Sequence, residues 1–246
     1  MTEGRPLGEI SGTPPAPATR EGGRGPGRPR GHRSETTQTA ILDAAEQLFA
    51  ERGYDGASIR DVAGAAGVQL HAVGYHFGPK EALFDAVVAR RAAIMTDLRQ
   101  QALAIMRAAA GAAPIAIAEL VRAYVSPFIH SAGHGEPGWR NYAALMGRLA
   151  NSPLGTEIIA RHYDGTARAY IAEFRRTLPD ADATETVDAF LHMVAAMLSI
   201  CARTGRSERL AGPASRHSIA QSLETLVRFH TAGFHALGPR EAADTP

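Results

Sequence analysis

The sequence predicts an all-α protein of about nine helices, a compact N-terminal group of three helices followed by a longer helical bundle. Three observations lead to the fold class: apolar residues recur at helical spacing from residue 34 onward, no segment alternates β-branched and polar residues as a strand does, and glycine and proline punctuate the chain at helix-length intervals. With 246 residues, 45% hydrophobic and 21% charged, the chain can bury one or two cores without staples. Its one cysteine, Cys201, rules out an internal disulfide or a zinc cage, and no cofactor is expected. A net charge of +1 implies no wholesale adhesion to polyanions. The apparent lack of a run of about 18 apolar residues or an apolar leader predicts a cytoplasmic protein with no membrane partner.

Residues 1–33 carry Pro14, Pro15, Pro17, Pro26 and Pro29 among many glycines, and are expected to be a disordered tail whose excess arginine gathers at its C-terminal end. From Ser34 the stripe Ile41, Leu42, Ala45, Leu48, Phe49 predicts a first helix that Gly53 stops. Ser58, with Asp61 three positions on, reads as the capping box of a second helix with Ile59, Val62 and Ala63 on its apolar face, ended by Gly67. A third runs from Gln69 to Phe77, with Leu70 and Val73 inward and Gln69, His71, Ala72 and Gly74 outward. Pro79 suits the first turn of a fourth, which carries Leu83, Phe84, Val87, Val88, Ile94, Met95 and Leu98. Five more follow between Ala113 and Leu237, broken at Pro114, residues 133–138, Pro153, 178–180 and 205–213.

Two short helices on a glycine turn, braced by a preceding amphipathic helix, have the layout of a helix-turn-helix, whose second helix enters the major groove. On spacing alone, bundles that touch no DNA share this layout. The run Ile41-Leu42-Asp43-Ala44-Ala45-Glu46-Gln47-Leu48-Phe49, then Gly53-Tyr54, Ala57 to Ala63, Ala66-Gly67-Val68 and Val73 to Leu83, resembles the DNA-binding domain of the TetR family over some fifty residues. The resemblance implies a homodimeric transcriptional regulator, a repressor that a small-molecule effector releases from its double-stranded DNA operator. It divides the chain into the tail (1–33), a DNA-binding domain (34–92) and a ligand-binding and dimerisation domain (93–240).

Physical roles follow for the matched residues. Ser58 at a helix start leaves N–H groups for a phosphate. Tyr75 and His76 can donate to the sugar-phosphate backbone, and Gln69 and His71 can read base edges. Lys80, the only lysine, falls on the family's phosphate-contact position. Ala72 and Gly74 lie on the same outward face; Gly74 departs from the larger or polar residue many members carry, and permits close backbone approach to DNA or weakens the helix. Ser34 to Arg90 holds four cations against eight carboxylates, a net −4, so affinity must come from a few placed donors and from the tail. There Gly27-Arg28-Pro29-Arg30 resembles an AT-hook core, which lays Arg28 and Arg30 in a narrow minor groove.

In the second half, Val187, Phe190, Leu191, Val194, Leu198 and Cys201 share a face of one helix, and Leu223, Leu226, Val227 and Phe234 a stripe on the last. The resemblance assigns these two helices to the four-helix bundle of a dimer interface, with Val187, Leu191, Val194, Leu198, Leu223, Leu226, Val227 and Phe234 as its residues. Tyr124, Phe128, Trp139, Tyr142, Met146, Tyr163 and Phe190 are the candidate walls of an effector pocket, with Arg148 as partner for an acidic head group. The stretch from Trp139 to Pro179 also resembles, loosely, the C-terminal domain of the family's fatty-acid and metabolic regulators. Enzyme readings find no nucleophile elbow, phosphate loop or paired-histidine helix, and Gly133 and Gly135 are expected to break the helix that would align His130 with His134. Two other readings stay open: a ligand-binding protein that no longer binds DNA, and a DNA-binding protein without a ligand.

Overall fold

The helical periodicity is realised as ten helices among the described residues, which are 30–150, 152–202, 205–212 and 218–238 of a computed structural model. They are α1 (Arg30–Gly56), α2 (Ile59–Ala65), α3 (Leu70–Phe77), α4 (Lys80–Ala110), α5 (Ile117–His134), α6 (Pro137–Leu149), α7 (Pro153–Thr177), α8 (Ala183–Ala202), α9 (Arg206–Ala211) and α10 (Ile219–His235). The tenth helix is α9, a six-residue turn of chain in the segment read as a break. Helix α1 begins at Arg30, ahead of Ser34, and bends at Gly53 (φ 74°) before ending at Gly56.

The capping box and the turn form as their residues dictate. Asp61 N–H donates to Ser58 Oγ at 3.1 Å and Ser58 N–H to Asp61 Oδ2 at 3.0 Å. Past Ala65, Gly67 takes φ +66°, the left-handed conformation in which its N–H reaches the Gly64 carbonyl (3.2 Å) and the Val68 N–H the Ala63 carbonyl (3.0 Å). This pair of bonds is a Schellman close, which a residue with a Cβ would strain. Ile41, Val62, Val73 and Leu83 are fully buried between α1, α2, α3 and α4, and Phe84 meets Phe49 edge-on at 4.8 Å and Tyr54 at 5.0 Å.

One sequence expectation about helix breaks is corrected. Helix α5 continues through Gly133 to His134, so His130 and His134 do share a face, with ring centroids 5.1 Å apart. Gly133 marks a close helix crossing instead: a Cβ there would come within 2.6 Å of Ile219 Cδ1 on α10. Among the described residues no group of three or more His, Cys, Asp or Glu is placed to hold a metal ion. Helix α8 has a mean hydropathy of 1.4 over its most apolar 18 residues, enough to cross a membrane by length and composition alone, but that stretch includes Glu185 and Asp188. Its Phe190, Met193, Met197 and Leu198 are buried in the protein core.

The two halves share α4, whose 31 residues pass without interruption through the expected boundary at 92/93. At the junction Glu46 of α1, 1% exposed, accepts from Arg90 (Nη2, 2.9 Å) and Arg91 (Nε, 3.1 Å) of α4. The Arg91 guanidinium in turn lies 4.8 Å from the Trp139 ring of α6. Asp85 of α4 accepts from Arg161 and pairs with His162 of α7 at 3.0 Å.

Candidate nucleic-acid interface and ligand cavity

Helix α3 contributes a single fully buried side chain, Val73, to the core. That leaves Gln69, His71, Gly74 and Tyr75 in solvent, with Tyr75 84% exposed and Ala72 and His76 half-buried. Leu70, expected to face inward, is 47% exposed: it is the first residue of α3, and the helix packs mainly on α2 through its buried side, where Val73 lies. Around Gly74 nothing lies within 4 Å of where a Cβ would stand, so no packing within the chain demands glycine there. His76 Nδ1 is 3.4 Å from Gln38 Nε2 of α1, and its ring meets Tyr75 edge-on. Lys80, the first residue of α4, places its ammonium 4.4 Å from the centre of the Tyr54 ring, an attraction that fixes the side chain without neutralising it.

Ser58 is corrected. Its hydroxyl donates to Asp61 Oδ2 at 2.6 Å, so the start of α2 already holds a carboxylate of its own. That hydroxyl and the Ser58 N–H hold the Asp61 carboxyl below its usual range. A phosphate at this position would meet a negative charge. Arg28 lies outside the described residues; Arg30 opens α1.

In the second half the bundle carries a half-open cavity of about 100 Å³ between α4, α5, α6, α7 and α8. Five predicted residues, Tyr124, Phe128, Met146, Tyr163 and Phe190, line it. Tyr142 stands behind the wall, fully buried, its hydroxyl 2.5 Å from that of Tyr163. Burial pushes the Tyr142 phenol well up and the Tyr163 phenol to about 12, so both are neutral. Two predictions are overturned. Trp139 does not reach the cavity, because its ring is held by the Arg91 guanidinium at the α1–α6 junction. Arg148 points the other way, donating to the Glu51 carbonyl of α1 at 3.1 Å and lining a separate groove with Tyr54 and Pro153.

Sequence reading missed Arg99, which lines the cavity while being 1% exposed. A signal was present: Arg99 lies four residues after Met95 and four before Leu103, on the buried stripe of α4, where a charged residue is out of pattern.

The expected dimer residues divide. Leu198, Leu226, Val227 and Phe234 are buried within the chain, which corrects their assignment to an outer face. Phe234 stacks on Phe174 at 4.2 Å. Val194 and Leu223 are half-buried, whereas Val187 and Leu191 are exposed, Leu191 at 55%. Phe229 of α10, unremarked in the sequence, is 71% exposed. Beside it His230 is held below its usual value by burial and by the nearby His192, so this outer surface of α8 and α10 gains no charge from it at neutral pH.

A projecting α3 on a glycine turn, joined by one continuous helix to a cavity-bearing bundle, defines a two-part helix-turn-helix protein. Residues 41–87 match the model of bacterial regulatory proteins of the tetR family, and residues 122–233 the tetracyclin repressor-like C-terminal domain. The chain belongs to the TetR family. The transcriptional repressor AcnR of Corynebacterium glutamicum is 38% identical over 68 residues, 28% of this chain and 36% of that protein. The chain thus spans about a third of the length of the first curated relatives it matches. Among solved structures, a TetR-like transcriptional regulator from Rhodococcus sp. RHA1 shares the fold at TM-score 0.55 and 17% identity, over 81% of this chain and 96% of that one. The fatty acid degradation regulator FadR from Bacillus halodurans does so at TM-score 0.55 and 16% identity, over 80% and 95%.

Proposed function

We propose that this chain is a non-enzymatic, cytoplasmic DNA-binding repressor that acts as a homodimer on an inverted-repeat operator and is released by a small-molecule effector. The observation that carries this reading is α3, which buries one side chain and offers Gln69, His71, Ala72, Gly74 and Tyr75 as a continuous outward face. Such a helix fits the major groove, with Gln69 and His71 on base edges and Tyr75, His76 and Lys80 on the phosphates. Arg28 and Arg30 supply the minor-groove contacts in this reading, and the domains divide as 1–33, 34–92 and 93–240. The repressor names of relatives such as AcnR support the same reading.

Two-fold symmetry requires the two α3 helices to meet successive major-groove faces about 34 Å apart, or an integral multiple of that. Selection of binding sites from random DNA is expected to return inverted repeats; sites without a repeat would overturn the dimeric reading. Lys80→Gln is expected to lower operator affinity and to reduce the slope of log affinity against log salt by about one phosphate contact. An unchanged slope, measured by anisotropy titration between low and moderate salt, would remove Lys80 from the interface.

A further inference from the structure

Arg99 occupies an unusual position for a cation. It is fully buried, and no carboxylate among the described residues pairs with it. Its Nε donates to the Tyr124 carbonyl at 2.8 Å and Nη2 reaches Met197 Sδ at 3.6 Å, a weak acceptor. The guanidinium carbon lies 3.9 Å from the centre of the Tyr124 ring. A buried guanidinium is normally matched by an anion, and its planar fork fits a carboxylate by two parallel hydrogen bonds. Around it the walls are apolar, Phe128, Met146 and Phe190 among them. The single carboxylate in the lining, Asp164, is half-exposed and held by Arg168 at 2.8 Å. The other acidic groups that feel Arg99 are neutral: burial pushes the Tyr163 and Tyr170 phenols and the Cys201 thiol each to about 12, and the Tyr142 phenol well up.

We infer that this cavity binds an apolar monocarboxylate, whose carboxylate rests on the Arg99 guanidinium and whose body lies against the apolar walls, extending through the half-open mouth where it exceeds the about 100 Å³ inside. The specificity follows from the lone cation, because a neutral analogue leaves the guanidinium unmatched. That such an acid is the effector rests on the repressor reading above; that the site prefers acids does not.

The test is calorimetric titration of the full chain, without DNA, with phenylacetate and 4-methylpentanoate against phenylacetamide and 4-methylpentanamide. Each acid is expected to bind at least tenfold more tightly than its amide. Arg99→Met, close in shape and uncharged, is expected to erase that preference while leaving amide binding intact and the urea midpoint unchanged or raised, since an isosteric apolar residue removes a buried charge. A merely structural arginine would instead lose stability and both ligands together. If Arg99→Met does not fold, Arg99→Lys carries the test: it keeps the charge without the fork, so acids should weaken yet still outrank amides. Equal affinity for acid and amide in the unaltered protein overturns the inference. Anisotropy on a selected operator separates the two readings: acid binding without DNA release sinks the effector role and leaves the site, whereas operator binding with no preference for acids sinks the site alone.

Discussion

Replacing Glu46 by alanine is expected to cost about 3 kcal/mol of folding stability, toward the lower end of the range for breaking a buried ion pair. The carboxylate is 1% exposed and carries both arginines of α4, Arg90 through Nη2 and Arg91 through Nε and Nη2. Removing it leaves two guanidinium groups at the α1–α4–α6 junction with diminished partners. Each retains something, which keeps the loss from the upper end: Arg90 still has Asp43 at 2.7 Å, and Arg91 still has Glu136 at 3.7 Å and the Trp139 ring. Urea unfolding of Glu46→Ala checks the size, with Glu46→Gln as the control that keeps the shape and one acceptor and so loses less. A loss under about 1 kcal/mol for alanine would mean the arginines find water or other carboxylates when Glu46 is gone. Because the network joins the helix-turn-helix to the helix bearing Trp139, the same variant is expected to weaken the dependence of operator binding on effector.

What the sequence made legible was set by local physics. The Ser58–Asp61 capping box, the Gly67 turn and the Gly78-Pro79 step into α4 depend on neighbours within a few residues, and each forms where the residues placed it. The apolar stripes likewise named the core of α1 to α4, because a helix with one buried face declares it in its period. Long-range choices were not legible. Nothing local says which side of α6 faces the bundle, so Arg148 and Trp139, on the same helix as Met146, were assigned to the cavity, whereas they face α1 and Arg91. Gly133 read as a helix breaker because its Ile219 neighbour lies far along the chain. Helix α8 is apolar nearly all round, and periodicity cannot divide such a helix between its own core and a partner. Arg99 was visible as an exception to the α4 stripe, but only the enclosing walls give that exception a chemical meaning.

That ambiguity on α8 sets up the second large effect. Phe234→Ala is expected to cost about 3–5 kcal/mol of folding stability, as truncation of a buried aromatic does, whether or not the protein is dimeric. Phe234 is buried, stacks on Phe174 at 4.2 Å with an interplanar angle of 5°, and so ties α10 to α7 inside one chain. Phe229, one helix turn and a half away, faces outward at 71% exposure, and Val187 and Leu191 are exposed on α8. Val187 and Leu191 thus leave apolar side chains free for the second copy that the proposed homodimer requires, with Phe229 as an aromatic anchor. Phe229→Asp should therefore raise the dimer dissociation constant at least tenfold in sedimentation while the monomer keeps its helicity. The two variants separate cleanly: one unfolds the subunit, the other parts the subunits. If Phe229→Asp sediments as an unchanged dimer and Phe234→Ala yields a stable monomer, the outer faces of α8 and α10 have been assigned the wrong way round.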